Sequence, residues 1–303
     1  MSVCTLLDVK DNLKAFLADE AGNLINIFKM IFLFLGVSSL YIGFSGFCAT
    51  FVGFILLGVR PNLHACIAVF LAVFSVYSLN KLTDRKEDAI NFPERLGFLA
   101  GRTRLILVYS LMSYALSVLL IYGEKSMSIP VIFIPLLANS LYSCRLIPGL
   151  PRLKDIPFMK NLVVAFSWAL VCVLIPAAYS GCSDAGVILI IYFMTQKYLI
   201  NTILYDIRDV AGDRENGIRT VPCLLGPKKT LLILLAINST LLPLLALTEG
   251  TSRLLIGGMI VYGYAYILHF SKKQSPLSLD LVVDGEWMLA CILIMLLSRM
   301  GTI

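Results

Sequence analysis

Long apolar stretches separated by short polar loops make up most of the chain. A membrane-spanning helix needs about 20 mostly apolar residues, and nine stretches come close to that length and composition. They occupy residues 38–59, 63–82, 103–122, 129–147, 161–180, 185–205, 230–247, 252–270 and 285–300. The pattern predicts an all-α integral membrane protein, with about nine transmembrane helices in a bundle around a central cavity.

The region before the first span allows several interpretations. Residues 24–37 are apolar and could extend the first span, form a re-entrant or interfacial helix, or make a tenth span. Residues 1–23 are polar, and their first twenty lack the apolar core of a cleavable secretory signal. We therefore expect a polar N-terminal segment at 1–23, followed by one transmembrane domain at 24–303.

Composition supports a membrane protein and excludes several functional classes. The chain is 58% hydrophobic and 15% charged, whereas about a quarter of the residues of soluble domains are charged. The basic residues behind the net charge of +6 lie in short loops, which argues against a nucleic-acid partner. Two histidines argue against a histidine-rich zinc or iron site. The eight cysteines form no C-x-x-C pair and are expected to be small buried side chains.

Loop charge predicts the orientation. With nine spans, the loops after the second, fourth, sixth and eighth lie on one side and hold most of the Lys and Arg residues. The positive-inside rule places such loops in the cytoplasm. We expect a multi-pass protein of the cell membrane with a cytoplasmic N-terminus.

The first of two acidic stripes ends the second span. Asn80, Asp84 and Asp88 recur every four residues, so on a helix they share one face. Such residues could be solvated surface charges in i,i+4 ion pairs. Carboxylates at a membrane edge nevertheless favour a functional role, and a second stripe on the same predicted side strengthens that interpretation.

The second stripe ends the sixth span. Asp206, Asp209 and Asp213 follow at i, i+3 and i+7, and Tyr205 lies one turn before Asp209. Both stripes offer only oxygen ligands, which suit Mg²⁺ shared with substrate phosphates. The two stripes predict one divided site for a diphosphate and Mg²⁺. Its expected metal ligands are Asn80, Asp84, Asp88, Asp206, Asp209 and Asp213.

These motifs resemble those of the UbiA superfamily of intramembrane prenyltransferases. The stripe beginning at Asn80 is similar to the first aspartate-rich motif of that family, and Asp206-x-x-Asp209-x-x-Gly212-Asp213 to the second. Lys81 departs from the pattern, because the family commonly has an acidic residue there. The resemblance implies Mg²⁺-dependent transfer of a prenyl group from an isoprenyl diphosphate to a lipophilic acceptor, such as an aromatic quinone precursor or a lipid alcohol. It implies catalytic roles for Asp84, Asp88, Asp209 and Asp213.

Lys197 is a basic residue deep within the sixth predicted span. Lys197, Asn201 and Tyr205 recur every four residues and form a stripe that leads to the aspartates. The lysine could reach the interface by snorkelling. Buried ionisable groups of membrane helices usually face the bundle interior, so we expect Lys197 to face the cavity, touch diphosphate or acceptor, and take part in catalysis.

Further residues are candidates for binding the diphosphate. Arg145 lies three residues after Tyr142 on one predicted helix face, and Lys154 and Arg85 lie in the basic loops. The alternative for each is that it only sets topology. The predicted diphosphate-binding residues are Asn80, Arg85, Arg145, Lys154, Tyr205 and Asp206.

Two other functions share some of these features. A membrane terpene cyclase would ionise the same diphosphate without a second substrate. A transporter of cations or substrates would bind charge without releasing diphosphate, although transporter sites tend to lie near the membrane midplane. The motifs specify neither the acceptor, the prenyl chain length nor the oligomeric state.

Overall fold

The described part of the chain is helical throughout. The computed structural model describes residues 26, 30–31, 34–35, 37–83, 100–143, 156, 158–180, 184–215, 217–270 and 276–299. Within those ranges the helices are α1 (Leu40–Leu56), α2 (Leu63–Thr83), α3 (Thr103–Lys125), α4 (Ile129–Ser143), α5 (Met159–Ala177), α6 (Asp184–Glu215), α7 (Val221–Ser239), α8 (Leu244–Leu247), α9 (Gly250–His269), α10 (Pro276–Val283) and α11 (Glu286–Arg299). Each of the nine predicted spans overlaps at least one of these helices, and the seventh, 230–247, covers the end of α7 and all of α8. The all-α prediction is confirmed, while most of residues 24–37 lie outside the description.

The surface of the bundle is that of a multi-pass membrane protein. Seven stretches of the described residues are long and apolar enough to cross a bilayer, and α1 is a shorter apolar helix. Large apolar side chains cover the outside, among them Met112 at 64% exposure, Leu119 at 65% and Val261 at 68%. Soluble monomers rarely expose apolar patches this extensive, so these faces lie against lipid.

Helices α3 and α4 fold back on each other. The Tyr114 hydroxyl of α3 donates a hydrogen bond of 2.7 Å to the Ile132 carbonyl of α4. In a continuous helix these residues would lie about 27 Å apart. A 3₁₀ turn at Ser126–Ser128 joins the two helices. The apolar stretch from Thr103 therefore forms a hairpin, as the separate predicted spans require.

Small residues bring the central helices close together. A Cβ atom on Gly53 of α1 would collide with the Cys172 carbonyl of α5. Small residues at such points let membrane helices pack backbone to backbone. Cys48, Cys66, Cys172 and Cys291 are free and buried, which confirms the prediction for these four cysteines.

Two helix boundaries differ from the sequence prediction. Helix α6 continues to Glu215, so the second acidic stripe extends the sixth span as one rigid element. Helix α7 begins at Val221, with Pro222 in its first turn, where proline is well tolerated. A kink follows at Gly226, whose φ of 77° is left-handed. The sequence Gly226-Pro-Lys-Lys229 interrupts the apolar residues of α7, so a search for a continuous apolar stretch placed the start of this span at residue 230.

Candidate active site

A cavity of about 270 Å³ lies at the meeting point of α1, α2, α4, α5, α6 and α10. Its apolar wall includes the ring of Trp168, which stacks on Tyr77 with a centroid separation of 6.0 Å. Charged and amide side chains lie on other parts of its wall. These polar residues are Asn80, Lys81, Lys160, Asn161, Asp206, Arg208, Asp209, Asp280 and Asp284.

The second acidic stripe supplies one wall of this cavity. Tyr205, Asp206 and Asp209 all line it, because residues three and four apart on α6 share a face. The Tyr205 hydroxyl is buried. Asn80 of the first stripe lines the same cavity, and the proposed functions of these residues are argued below.

Asp206 is held by the start of α5. Its carboxylate lies 2.8 Å from the Lys160 amine, and the Asn161 amide donates to it at 2.6 Å. Asp206 is 2% exposed, so water solvates this carboxylate poorly and the lysine offsets its charge. The first turn of α5 also favours a nearby anion through the helix dipole.

Arg208 holds Asp209 and joins it to α10. Its Nε and Nη2 atoms donate to the two Asp209 oxygens at 2.7 and 2.9 Å. Its Nη1 atom donates to Asp280 at 2.7 Å. The guanidinium also lies over the Tyr205 ring, 4.9 Å from the centroid. Arg208 is thus fixed by two carboxylates and an aromatic face.

The opposite wall contains Asn80 and Lys81 of α2. The buried Lys81 amine donates to the Val37 carbonyl and, at 2.7 Å, to the Ser39 hydroxyl. Lys81 therefore connects α2 to the backbone just before α1. Five predicted site residues fall outside the described residues: Asp84, Arg85, Asp88, Arg145 and Lys154.

Asp213 lies beside the cavity rather than in its lining. It is 3% exposed, and its carboxylate is 3.7 Å from the Lys160 amine. Its Oδ2 atom is buried. Lys160 thereby bridges Asp206 and Asp213, which lie two turns apart on α6.

Lys197 is placed differently from the prediction. It is absent from the lining of this cavity and has 0% side-chain exposure, in an ion pair with Glu286 of α11. Its amine also donates to the Met259 carbonyl at 3.0 Å and the Tyr266 hydroxyl at 3.1 Å. Because Glu286 lies far away in the sequence, the stripe on α6 gave no sign of this partner. The contact of Lys197 with diphosphate or acceptor stays a prediction.

The donor atoms at the cavity suit a hard cation. Asp206 and Asp209 present carboxylate oxygens, and the buried Asn161 Oδ1 atom has no hydrogen-bond partner among the described groups. Mg²⁺ prefers such oxygen ligands and commonly uses only one or two carboxylates. Three metal-ligating side chains do not gather anywhere in the described ranges. Two further members of the expected ligand set, Asp84 and Asp88, lie outside those ranges.

The cavity also contains residues that sequence reasoning missed. Asp280 of α10 and Asp284, one turn later, both line it. They repeat the signal used for the two stripes, acidic residues one helical turn apart beside an apolar segment. A search for every such pair would have found them.

Known proteins match most of the chain. Residues 39–281 match the model of the UbiA prenyltransferase family. The digeranylgeranylglyceryl phosphate synthase of Thermococcus kodakarensis is 24% identical over 253 residues, which cover 80% of this chain and 88% of that protein. The synthase of the same name from Natronomonas pharaonis is 28% identical over 206 residues, covering 65% of this chain and 72% of the relative.

Solved structures share the fold. A UbiA homologue from Archaeoglobus fulgidus, solved with GPP and Mg²⁺, superimposes with a TM-score of 0.61 at 17% identity, covering 86% of this chain and 98% of that one. A structure of digeranylgeranylglyceryl phosphate synthase superimposes with a TM-score of 0.55 at 16% identity, covering 89% and 97%.

Proposed function

The chain belongs to the UbiA prenyltransferase family and is a prenyltransferase, and we propose that it moves a prenyl group from an isoprenyl diphosphate to a lipophilic acceptor within the membrane, with Mg²⁺. The observation that carries the proposal is the single cavity lined by Asn80 of the first stripe and by Asp206 and Asp209 of the second. The resemblance of the two stripes to the aspartate-rich motifs of the family supports placing the diphosphate between them.

The cation would be held by oxygen atoms of both stripes. Asp206 and Asp209 contribute from α6 and Asn80 from α2, with Asp84, Asp88 and Asp213 completing the proposed set. Bound Mg²⁺ would stabilise negative charge on the leaving diphosphate. The Archaeoglobus fulgidus homologue, which shares the fold, was solved with GPP and Mg²⁺, and this supports the assignment.

Basic side chains of the cavity would hold the rest of the diphosphate. Lys160 and Arg208 line it, and Arg145, Lys154 and Arg85 are proposed to add to them from the basic loops. Charge-assisted hydrogen bonds to phosphate oxygens are about twice as strong as neutral ones. These residues would therefore orient the leaving group as the allylic C–O bond breaks.

The apolar wall would protect the reacting carbon. Val76, Tyr77, Val164 and Trp168 line the same cavity as the carboxylates. A water-poor chamber prevents hydrolysis of a reactive intermediate, and the faces of Tyr77 and Trp168 can stabilise an allylic cation. The acceptor oxygen or carbon would then form the new bond to the prenyl group and lose a proton.

Among the possible acceptors, we propose a lipid alcohol. The Thermococcus kodakarensis and Natronomonas pharaonis relatives are named for the synthesis of digeranylgeranylglyceryl phosphate, a lipid product. Both relatives align over more than two thirds of their own length, so the comparison includes most of each protein.

The proposal can be tested with purified protein in lipid nanodiscs. Labelled prenyl diphosphates of several lengths, Mg²⁺ and either a glyceryl lipid alcohol or a phenolic acceptor would be supplied, and mass spectrometry would identify the product. A prenylated lipid alcohol that disappears with EDTA is expected. A cyclic product formed without acceptor would indicate a terpene cyclase, and absence of diphosphate release would overturn the proposed reaction.

The proposed orientation places both stripes and the N-terminus in the cytoplasm. It rests on the basic loops that follow the even-numbered spans. A membrane-impermeant thiol reagent applied to intact cells tests it, using single cysteines introduced in a cysteine-free variant. A cysteine at Lys228, beyond the second stripe, should be protected, and one at Lys125, at the end of α3, should be labelled. The reverse pattern would overturn the orientation.

A further inference from the structure

An ion pair joins helix α10 to the second stripe. Asp280 of α10 accepts a hydrogen bond of 2.7 Å from Nη1 of Arg208. The other two nitrogen atoms of this guanidinium, Nε and Nη2, donate hydrogen bonds to the two carboxylate oxygens of Asp209. Arg208 therefore links Asp280 to Asp209, the proposed metal ligand, by hydrogen bonds to both carboxylates.

The position of α10 is fixed from several sides. The Tyr41 hydroxyl of α1 donates to the Leu281 carbonyl at 2.7 Å, and the Tyr262 hydroxyl of α9 donates to the Val282 carbonyl at 2.9 Å. Just after the helix, the Ser45 hydroxyl donates to the Asp284 carbonyl at 2.8 Å. Asp280 is consequently presented to Arg208 by a backbone that is held in place.

The three charged groups are poorly solvated. The side chains of Arg208, Asp209 and Asp280 are 14%, 18% and 13% exposed. Their mutual interactions are therefore stronger and less screened by salt than those of surface charges. One guanidinium serves two carboxylates, so its positive charge is divided between Asp209 and Asp280.

We propose that Asp280 is a positioning residue that acts through Arg208 to keep the Asp209 carboxylate available to the catalytic cation. This inference rests on the proposed function. Each Asp209 oxygen gives one lone pair to Arg208 and retains another for a cation. Without the carboxylate of Asp280, the full charge of Arg208 would fall on Asp209 and compete with the metal. Partners that orient metal ligands in this way typically contribute about 10- to 100-fold to metal affinity.

The test measures binding of Mn²⁺, as a spectroscopic substitute for Mg²⁺, to the full chain in detergent without substrate. Electron paramagnetic resonance titrations would compare the wild type, Asp280→Asn, Arg208→Gln and the double variant. We expect Asp280→Asn to raise the Mn²⁺ dissociation constant about 10-fold, and to have no further effect when Arg208 is already Gln. This non-additivity is the signature of a residue that acts through another.

Two controls separate positioning from general electrostatics and from misfolding. Asp284→Asn removes the same charge from the same cavity wall and should change the dissociation constant less. Asp280→Glu keeps the charge and should retain most of the affinity. If Asp280→Asn is not folded, Asp280→Ser, which also removes the charge, replaces it. A loss with Ser that is equally large in the Arg208→Gln background, or no loss in either background, counts against the proposal.

The outcomes also distinguish this inference from the proposed function. Equal losses from Asp280→Asn in both Arg208 backgrounds, or no loss in either, would overturn the positioning role alone, provided that Asp209→Asn abolishes Mn²⁺ binding. If Asp209→Asn leaves Mn²⁺ binding intact, the proposed cation site fails and the inference fails with it.

Discussion

Lys197 of α6 and Glu286 of α11 form an ion pair inside the bundle, with side-chain exposures of 0% and 1%. The Tyr266 hydroxyl of α9 lies 3.1 Å from the lysine amine and 3.3 Å from the Glu286 carboxylate. The pair therefore joins three helices that are distant in sequence. Glu286 is also the first residue of α11, two residues after Asp284 of the cavity wall.

Breaking this pair on one side should destabilise the protein. Removing one partner of a buried ion pair leaves an unpaired charge and costs about 3–5 kcal/mol. Lys197→Met and Glu286→Leu should each lower the unfolding temperature of the detergent-solubilised protein, measured by intrinsic fluorescence. The double variant should recover much of the loss, because an apolar pair of similar volume is often tolerated.

The same double variant tests the role first predicted for Lys197. If the lysine only holds helices together, the recovered protein should retain prenyl transfer at a similar rate. A stable double variant without activity would instead support direct contact between Lys197 and a substrate.

Gly263 of α9 makes room for this polar cluster. A Cβ atom there would lie 2.5 Å from Asn238 Oδ1 and 2.9 Å from the Lys197 amine. Gly263→Ala should therefore destabilise the protein by about 1–3 kcal/mol, the usual cost of overpacking. The matched control is Gly257→Ala in the same helix, where the nearest atom, Leu245 Cδ2, is 3.6 Å away. The explanation would be contradicted if Gly257→Ala had a lower unfolding temperature than Gly263→Ala.

Features that depend on the spacing of nearby residues could be predicted from the sequence. Spans follow from apolar length, and the stripe Asp206, Asp209 and Asp213 follows from helical spacing on what the structure shows to be one continuous helix, α6. These features depend on neighbours within a few residues, so they can be read from one segment at a time.

Partners from distant segments could not be found in that way. The pairing of Lys197 with Glu286 and of Arg208 with Asp280 depends on how α10 and α11 return to α6. The amine of a lysine within a membrane helix can lie at the membrane interface, in a cavity or against a carboxylate. The sequence around Lys197 is compatible with all three. Asp280 and Asp284 were detectable as a helical pair, although only the packing places them at the cavity.

Lys160 is expected to act on the diphosphate half of the reaction. Its amine lies 2.8 Å from Asp206 at the cavity wall. Charged hydrogen bonds contribute about 1.5–3 kcal/mol, so Lys160→Met should reduce kcat/KM for the prenyl diphosphate about 10- to 100-fold. Steady-state kinetics at saturating acceptor measure this loss.

Lys160→Arg is the matched control for that prediction. It keeps the positive charge at the first turn of α5 and should retain more activity than Lys160→Met. Equal losses in the two variants, with unchanged unfolding temperatures, would show that the shape of the side chain matters and its charge does not.

Asp209 and Asp213 should differ in their importance for catalysis, although both belong to the second stripe. Asp209 lines the cavity, whereas Asp213 is absent from the lining and lies 3.7 Å from Lys160. Asp209→Asn keeps the shape of the side chain but removes the charge, and should lower kcat about 100-fold or more, as expected for loss of a group that stabilises the transition state. Asp213→Asn should lower it less, because Asp213 lies outside the cavity lining and would be a more peripheral member of the proposed ligand set. Initial rates of labelled prenyl transfer at saturating Mg²⁺ measure both effects, with the unfolding temperature as a check on folding. A larger loss from Asp213→Asn in a folded protein would place the cation nearer the end of α6 than the cavity geometry indicates.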